Sequence, residues 1–251
     1  MHALGKDRVE VIYFYDDSFG EEGKNSAKLV ADWLGLSLPM VHIESVMGKK
    51  ITRSSFMKIL GKSLTLNRFL QNIYCLCFGE TPFMTTMRKE EFRTNWFRRS
   101  IYDCLAKDLE ILFDGWFTEI RRYVDGVAEN TNTIILGGGN YTEVLSGWFT
   151  KGGLDDMPYS PIGKLYKTQV NQLAEYLEIP TEIRNRVSSA DVLWSTPDEL
   201  ALGISYDKLD TILYGIEKGF NDRNIMGYAV TKRDIKKVRK MNHLAIRKKQ
   251  S

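Results

Sequence analysis

A glycine run, Gly137–Gly139, separates a short hydrophobic stretch at Thr133–Leu136 from a predicted helix that carries Glu143. Glycines after a parallel strand let the backbone approach a phosphate closely, and the start of the following helix favours anions. Gly138, at the centre of the run, is therefore a candidate contact to a nucleotide phosphate. Turns use glycine for other reasons too, and Glu143 has an equally simple interpretation as a surface acid. The run alone leaves both interpretations open.

Two lysines follow Glu143 at regular distances. Lys151 lies eight residues after it, and Lys167 lies a further sixteen residues on. Taken singly, each lysine has an ordinary interpretation as a solvated surface residue. No Ser-His-Asp or Cys-His arrangement that would supply a protein nucleophile stands out in the sequence.

The elements that must position these residues follow an α/β pattern. Val9–Tyr15 is rich in β-branched and aromatic residues and is predicted to be a buried strand. An amphipathic helix is predicted at Glu22–Leu34 and a second strand at Pro39–Ile43. The βαβ order predicts that the two strands are parallel and joined by a right-handed crossover.

Helical periodicity continues along the second half of the chain. A third strand is predicted at Ile134–Leu136, with a helix beginning at Asn140. Further helices are predicted at Lys167–Leu177 and Tyr206–Lys218, each with an apolar face. Asp222 is predicted to cap the terminal helical region.

The aromatic and basic middle of the chain, residues 51–127, is harder to interpret. Helices are predicted at about Thr94–Leu109 and Ile111–Val127. Helices that pack aromatic side chains against the sheet are one interpretation, and a surface for a partner is the other.

Composition excludes several classes of protein. The chain has 251 residues with 43% hydrophobic content, which is typical of an ordinary globular domain. No apolar run is long enough for a transmembrane helix, and the N-terminus lacks the apolar segment of a signal peptide. The spacing of Cys75, Cys77 and Cys104 fits neither a zinc ribbon nor a CxxC motif. Reduced cysteines predict a cytoplasmic protein.

The C-terminal region, residues 219–251, is a basic helical tail. Residues 232–249 contain nine Lys or Arg residues and one acid, Asp234. A solvated helix face is one interpretation, and contact with an anionic ligand is the other. No aromatic residue interrupts the basic residues, so nucleic acid is not the expected partner.

Taken together, these motifs closely resemble the second half of the ammonia-dependent NAD synthetases, which belong to the ATP-pyrophosphatase group. The resemblance rests on the order and spacing of Glu143, Lys151 and Lys167, on Ser189 twenty-two residues after Lys167, and on the acid-rich stretch from Pro197 to Tyr206. It extends from about Ile134 to Ile216 and is weaker elsewhere.

The resemblance implies an ATP- and Mg²⁺-dependent amidation of deamido-NAD with ammonia, through an acyl-adenylate. By this resemblance Glu143 holds Mg²⁺, Lys151 contacts deamido-NAD and Lys167 contacts ATP. Ser189 stands where the family has an ATP-contacting threonine, and it keeps the hydroxyl. Such a reaction needs positioning and charge neutralisation rather than a protein nucleophile.

The chain also departs from the family pattern. A family threonine is replaced by Gly138, which lacks the hydroxyl. A family aspartate falls at Pro158, and the neighbouring Asp155 and Asp156 are candidates to replace it. A family arginine falls near Thr118, with Arg121 one helical turn away as the candidate substitute.

The SGGxDS loop, whose backbone grips the pyrophosphate of ATP in the family, has no counterpart in this sequence. The segment Ala3–Val9 instead resembles the end of the first family helix and the start of the second strand. The resemblance therefore implies a Rossmann-like, doubly wound parallel sheet of the adenine nucleotide α-hydrolase type, with helices on both faces and the first βα unit missing. We expect one domain spanning residues 1–251.

A missing central strand would leave an uncovered edge and apolar surface. Either the aromatic middle segment covers this surface or the chain self-associates, and homodimerisation, as in the family, is the expected outcome. The expected partners are thus small molecules and a second copy of the chain, with no membrane. Two alternatives stay open: a non-catalytic nucleotide-binding paralogue, and another ATP-pyrophosphatase that adenylates a different substrate.

Overall fold

The structure is a computed structural model, and it describes residues 5–15, 21–47, 63–88, 96, 115–189 and 196–250. The predicted helix at Thr94–Leu109 lies outside these ranges except for Trp96, as does Cys104. The described strands are β1 (Tyr13–Tyr15) and β2 (Met40–His42), and a short 3-10 helix spans Lys6–Arg8. In chain order the described α-helices are α1 (Glu21–Leu34), α2 (Ile43–Met47), α3 (Leu64–Phe78), α4 (Pro82–Thr86), α5 (Phe117–Thr131), α6 (Tyr141–Ser146), α7 (Lys167–Tyr176), α8 (Thr181–Arg184), α9 (Asp198–Leu202), α10 (Tyr206–Glu217), α11 (Asp222–Met226) and α12 (Lys232–Gln250).

The predicted βαβ unit is confirmed. Strands β1 and β2 are parallel, with Phe14 opposite Val41, and α1 connects them. Side chains alternate between the two faces of a strand. Phe14 meets Tyr123 of α5 edge to face at 5.8 Å between ring centroids, whereas the next residue, Tyr15, lies beneath the ammonium of Lys24 of α1. Helices therefore cover both faces of the sheet.

The strand predicted at Ile134–Leu136 is wrong. These three residues are described, and they have no regular secondary structure. A strand needs a neighbour to pair with, and the nearby described backbone bonds run elsewhere: Thr133 N–H donates to Ala128 of α5, and Gly137 N–H donates to Tyr159 at 2.8 Å. Ile134 is 69% exposed and Leu136 is 55% exposed. The segment thus presents apolar side chains to solvent instead of pairing in a sheet.

The main core lies among the C-terminal helices. α10 buries Leu209 and Ile212 completely, because they lie on one face of the helix three residues apart. α12 buries Val238 and Met241 at the same spacing, and both helices belong to one hydrophobic cluster. α6 packs against α10 and α12, so the helix that carries Glu143 rests on this core.

Most predicted helix boundaries agree with the structure to within one or two residues, and two differ. For the helix predicted at Ile111–Val127, residues 111–114 lie outside the described ranges, Gly115 and Trp116 form a π-helical turn, and the α-helix runs from Phe117 to Thr131. The predicted cap at Asp222 is wrong, since Asn221 accepts the Asn224 backbone N–H at 2.9 Å and Asp222 is the first helical residue. The terminal helical region then divides into α11 and α12.

The basic residues of α12 do more than face solvent. Lys237 donates to the Gly203 carbonyl at 2.7 Å, and Lys240 pairs with the buried Glu80 at 2.5 Å. Arg239 pairs with Asp222 at 2.8 Å. These cations attach α12 to neighbouring segments, a structural role that neither sequence interpretation anticipated.

Candidate active site

A cavity of about 520 Å³ lies between α1, the start of α7 and the segment that precedes α9. Four of the predicted site residues line it: Glu143, Asp155, Lys167 and Ser189. We call it the Glu143 cavity. The other residues along its wall include Tyr13 of β1, Ser26, Ala27 and Val30 of α1, Phe117, Trp148, Arg186, Ser188 and Asp198.

Glu143 is fixed at the start of α6 by a reciprocal capping arrangement. Asn140 accepts the Glu143 backbone N–H at 3.1 Å, while the Glu143 carboxylate accepts the Asn140 backbone N–H at 3.0 Å and its amide N–H at 2.6 Å. Such a capping box satisfies amides that otherwise have no partner in the first turn. It also holds the carboxylate in one orientation toward the cavity.

The electrostatic environment of Glu143 is unusual for a glutamate. Its pKa is raised to about 7, mainly by burial, and the nearby carboxylates of Asp155 and Asp198 act in the same direction. The Asn140 backbone N–H and the Lys167 ammonium act in the opposite direction. A cation bound beside this carboxylate would favour its charged form.

Lys167 is the first residue of α7, and its side chain lies over an aromatic ring. The ammonium is 5.3 Å from the centroid of the Tyr206 ring, within the range of a cation–π interaction. The Tyr206 hydroxyl in turn donates to Asp198 at 2.9 Å. This aromatic support holds the positive charge beside the Glu143 cavity.

Asp155 reaches the cavity from the loop that follows α6. Burial raises its pKa, while the Thr150 backbone N–H and the Lys248 ammonium lower it. Lys248 also donates to the carbonyls of Gly147 and Phe149. The C-terminal lysine thus stabilises the loop that carries Asp155.

The three glycines of the run have different surroundings, which the sequence alone did not distinguish. A Cβ on Gly137 would lie 2.7 Å from Ser160 Oγ, and one on Gly139 would lie 2.9 Å from the Asp155 carbonyl oxygen. Gly138 faces open space, since a Cβ there would meet nothing within 4 Å. Close packing of the 155–160 loop therefore explains two of the glycines, and Gly138 does not line the Glu143 cavity.

Three further predicted residues also lie away from the cavity lining. Arg121 Nε–H donates to both carboxylate oxygens of Asp125, at 2.8 Å to each, and the guanidinium also donates to the carbonyls of Gly153 and Asp156 at 3.4 Å. The Asp156 carboxylate accepts the Gly152 backbone N–H at 3.1 Å. Lys151 is exposed. Arg121 and Asp156 thus organise the loop around Lys151 and Asp155.

Sequence reasoning missed several residues of the site. Asp198 is 5% exposed and lines the cavity, yet the sequence pointed only to the segment that contains it. Trp148 and Phe117 form an apolar wall. Asp198 is the first acid of the acid-rich stretch from Pro197 to Tyr206, so the signal for it was present. The aromatic wall had no such signal, because tertiary packing decides which aromatic side chains face a cavity.

Glu143 is suited to bind a Mg²⁺ ion that a substrate also coordinates. The described ranges contain no cluster of three or more His, Cys, Asp or Glu side chains that could form an all-protein metal site. Magnesium in phosphate-handling sites commonly uses one or two carboxylates together with substrate phosphates and water. A single oriented carboxylate beside a lysine meets that requirement.

Across the described residues, no helix combines the length and the apolar content needed to cross a bilayer.

The sequence profile of the NAD synthase family matches residues 121–251, just over half of the chain. All eight predicted site residues lie in that segment. The NH(3)-dependent NAD(+) synthetase of Coprothermobacter proteolyticus is 46% identical over 92 residues, which are 37% of this chain and 31% of that protein. The enzyme of the same name from Methanosarcina acetivorans is 28% identical over 227 residues, covering 90% of this chain and 70% of that protein.

A solved structure supports the fold. The NMN synthetase of Francisella tularensis aligns with 95% of this chain and 74% of its own, with a TM-score of 0.60 at 18% identity. The predicted α/β fold is thereby confirmed. Because the NAD synthase profile matches more than half of the residues of this chain, the chain belongs to the NAD synthase family.

Proposed function

We propose that the chain catalyses the ATP-dependent amidation of deamido-NAD with ammonia, giving NAD, AMP and pyrophosphate. One observation carries the proposal: Glu143 and Lys167, twenty-four residues apart in the sequence, line one cavity of about 520 Å³ within the segment that matches the family. The matched relatives are named NH(3)-dependent NAD(+) synthetases, which supports the same reaction.

In the first step a carboxylate oxygen of deamido-NAD attacks the α-phosphorus of ATP. A new O–P bond forms, the bond to the β-phosphate bridging oxygen breaks, and pyrophosphate leaves. In the second step ammonia attacks the acyl carbon and AMP departs with the electron pair of the C–O bond. The attacking nitrogen loses a proton to give the neutral amide. Neither step requires a nucleophile from the protein.

The residues of the cavity supply charge and position for these steps. The first step brings together two anions and moves charge onto pyrophosphate, so a cation held in place lowers the barrier. Lys167 provides that cation, and the Tyr206 ring restricts its position. Phe117 and Trp148 exclude water from one side of the cavity, which strengthens electrostatic interactions inside it.

Glu143 is the residue that would hold Mg²⁺. When bound, this ion withdraws charge from the phosphate oxygens of ATP. Its presence would also keep the Glu143 carboxylate ionised, against the burial that raises its pKa to about 7.

The remaining predicted contacts are part of the same proposal. Ser189, which lines the cavity, offers its hydroxyl to ATP, and Asp155, which lines it too, contacts deamido-NAD. The loop that carries Asp155 forms the side of the site that contacts deamido-NAD. Lys151 is an exposed residue of this loop, and Arg121 and Asp156 organise it. Gly138 provides open backbone for a phosphate.

The chain is also proposed to form a homodimer. The outer face of α3 exposes a stripe of large apolar side chains at helical spacing, with Phe69 60%, Ile73 42% and Leu76 81% exposed. Exposed apolar stripes of this kind mark interaction surfaces, and family members pair with a second copy. Sedimentation should show a dimer at micromolar concentration. Leu76→Asp should shift it toward the monomer, whereas Asn72→Asp, at an exposed polar position of the same helix, should not.

One assay tests the reaction. The purified chain is incubated with ATP, MgCl₂, deamido-NAD and ammonium chloride, and NAD, AMP and pyrophosphate are quantified. We expect the three products in equal amounts. Glu143→Gln keeps an acceptor for the Asn140 backbone N–H but removes the charge, and it should lower the rate about 100-fold. Glu129→Gln, an exposed acid on α5, is the matched control and should leave the rate unchanged.

Other outcomes would decide between the alternatives. AMP and pyrophosphate formed only when deamido-NAD is replaced by another carboxylic acid would indicate an ATP-pyrophosphatase that adenylates a different substrate. ATP binding without any turnover would indicate a non-catalytic nucleotide-binding protein. Full activity in Glu143→Gln would overturn the assignment of the metal ligand.

The proposal also includes a cytoplasmic location and a single domain. Cys75 and Cys77 are both free thiols in the structure, which supports a reducing, cytoplasmic environment. A single unfolding transition that coincides by fluorescence and circular dichroism would support one domain over residues 1–251.

A further inference from the structure

The start of α7 is capped by side chains from two other helices. Lys167 N–H donates to Thr142 Oγ of α6 at 2.8 Å, and Thr168 N–H donates to Asp210 Oδ2 of α10 at 2.8 Å. The first amides of a helix have no partner within the helix and need one from outside. Here the partners come from residues far away in the chain.

Thr142 and Asp210 are also bonded to each other. The Thr142 hydroxyl donates to Asp210 Oδ1 at 2.5 Å, so each group of the pair holds one amide of α7 and the other group. Thr142 is completely buried and Asp210 is 5% exposed. A buried, fully satisfied network of this kind fixes the relative position of its members.

The pair lies between the two main residues of the proposed active site. Thr142 precedes Glu143 in the chain, and its hydroxyl oxygen binds the backbone of Lys167. Asp210 is carried by α10, whose Leu209 and Ile212 belong to the rigid core. Any shift of α6 against α7 would break the Thr142 bonds and change the separation of the Glu143 and Lys167 side chains.

The same bonds direct where a phosphate can be held. The amides of Lys167 and Thr168 are already occupied, so the start of α7 does not offer them to an anion. The Lys167 ammonium, rather than the helix backbone, is left to meet the phosphate.

We propose that Thr142 and Asp210 form a positioning clamp that sets the distance between Glu143 and Lys167 for ATP binding. The clamp residues touch no substrate and act through Lys167. This inference rests on the proposed function, since it assumes that Lys167 binds the phosphates of ATP.

The test uses substitutions at Thr142. Thr142→Val keeps the shape but removes the hydroxyl, whereas Thr142→Ser keeps the hydroxyl. Thr85→Val is the matched control, because Thr85 is also completely buried and hydrogen-bonded but lies in α4, outside the cavity lining. Thermal unfolding of all variants measures their general loss of stability.

We expect Thr142→Val to lower kcat/KM for ATP about 10- to 100-fold, since small misplacements of a positioning group have effects of this size. The KM for deamido-NAD should change less than about twofold. Thr142→Ser should recover the wild-type value to within about threefold, and Thr85→Val should lose stability without the change in kcat/KM for ATP.

A double-mutant cycle with Lys167→Met shows whether the clamp acts through Lys167. In the Lys167→Met background, Thr142→Val should add less than about threefold to the loss. The same loss in both backgrounds, or an equal loss of kcat/KM in Thr85→Val, would overturn the clamp.

ATP·Mg²⁺ binding, measured by calorimetry on the same variants, separates the two proposals. ATP binding that shows the Thr142–Lys167 coupling, together with no amide formation, would reject the proposed reaction and retain the clamp. Amide formation with no coupling would reject the clamp alone. A wild-type chain that neither binds ATP nor forms the amide would reject both.

Discussion

The Tyr206 hydroxyl donates a 2.9 Å hydrogen bond to Asp198, while the face of the same ring lies 5.3 Å from the Lys167 ammonium. One side chain therefore performs two separable tasks. Its hydroxyl stabilises a buried carboxylate, and its ring supports a lysine. Burial, Asp198 and Glu143 all raise the Tyr206 pKa, so the phenol stays protonated and remains a donor.

Tyr206→Phe removes the first task and keeps the second. We expect a loss of about 1–3 kcal/mol in the free energy of unfolding, because Asp198 loses a buried hydrogen-bond donor. The KM for ATP should stay within about threefold, because the ring still supports Lys167. Tyr206→Leu removes both tasks and should raise that KM further, with an additional loss of stability because the smaller side chain leaves a cavity at this buried position. Chemical unfolding and steady-state kinetics measure the two effects, and equal KM values for the two variants would contradict the role of the ring.

The raised pKa of Glu143 should make the stability of the chain depend on pH. Its pKa is raised from 4.5 to about 7 in the folded chain, so the folded state holds a proton that the unfolded state releases. The corresponding stability is fully present below pH 4.5 and is lost as the pH rises through about 7. Without nucleotide and Mg²⁺, Glu143→Gln should therefore unfold about 3 °C or more above the wild type at pH 8, and the difference should shrink toward pH 4.5.

Comparing the variant with the wild type at each pH cancels the titration of other buried acids such as Asp155. A constant difference in melting temperature between pH 4.5 and pH 8 would contradict the raised pKa of Glu143. Saturating ATP and Mg²⁺ should remove the advantage of the variant, because a bound cation favours the charged carboxylate.

Local sequence patterns predicted the parts of the fold that depend on neighbours in the chain. The periodicity of α7 and α10 and the β-branched content near β1 are local, and each indicates its element directly. The segment Ile134–Leu136 has an equally strong strand pattern, yet it is not a strand. Strand formation requires a paired neighbour at a distance in the sequence, which local composition does not reveal.

The candidate site divides in the same way. Spacing and family resemblance selected Glu143 and Lys167, and the structure brings both to one cavity. The Thr142–Asp210 bond joins residues sixty-eight positions apart, so no local sequence pattern predicts it. Arg121 was selected by its place near the position of a family arginine, whereas its ion pair with Asp125 depends on the turn of helix α5.

Alanine at two adjacent glycines, Gly138 and Gly139, should affect different properties of the chain. Gly139→Ala should destabilise the fold by about 1–3 kcal/mol, because its Cβ would lie 2.9 Å from the Asp155 backbone carbonyl. Gly138→Ala meets nothing within 4 Å, so its melting temperature should match the wild type. If Gly138 contacts a phosphate of ATP, the added methyl should raise the KM for ATP at unchanged stability. An unchanged KM would remove Gly138 from the proposed ATP site.

Lys248 should prove more important than its position near the chain end suggests. Its ammonium donates to the Gly147 carbonyl at 3.0 Å and to the Phe149 carbonyl, at the end of the helix that carries Glu143. Lys248→Met keeps the aliphatic stem but leaves both carbonyls without this donor, so we expect a loss of about 1–3 kcal/mol in unfolding free energy. Lys249→Met changes an exposed neighbour and should stay within about 0.5 kcal/mol of the wild type. Urea denaturation of the two variants measures the difference, and equal midpoints would show that the Lys248 bonds contribute nothing to stability.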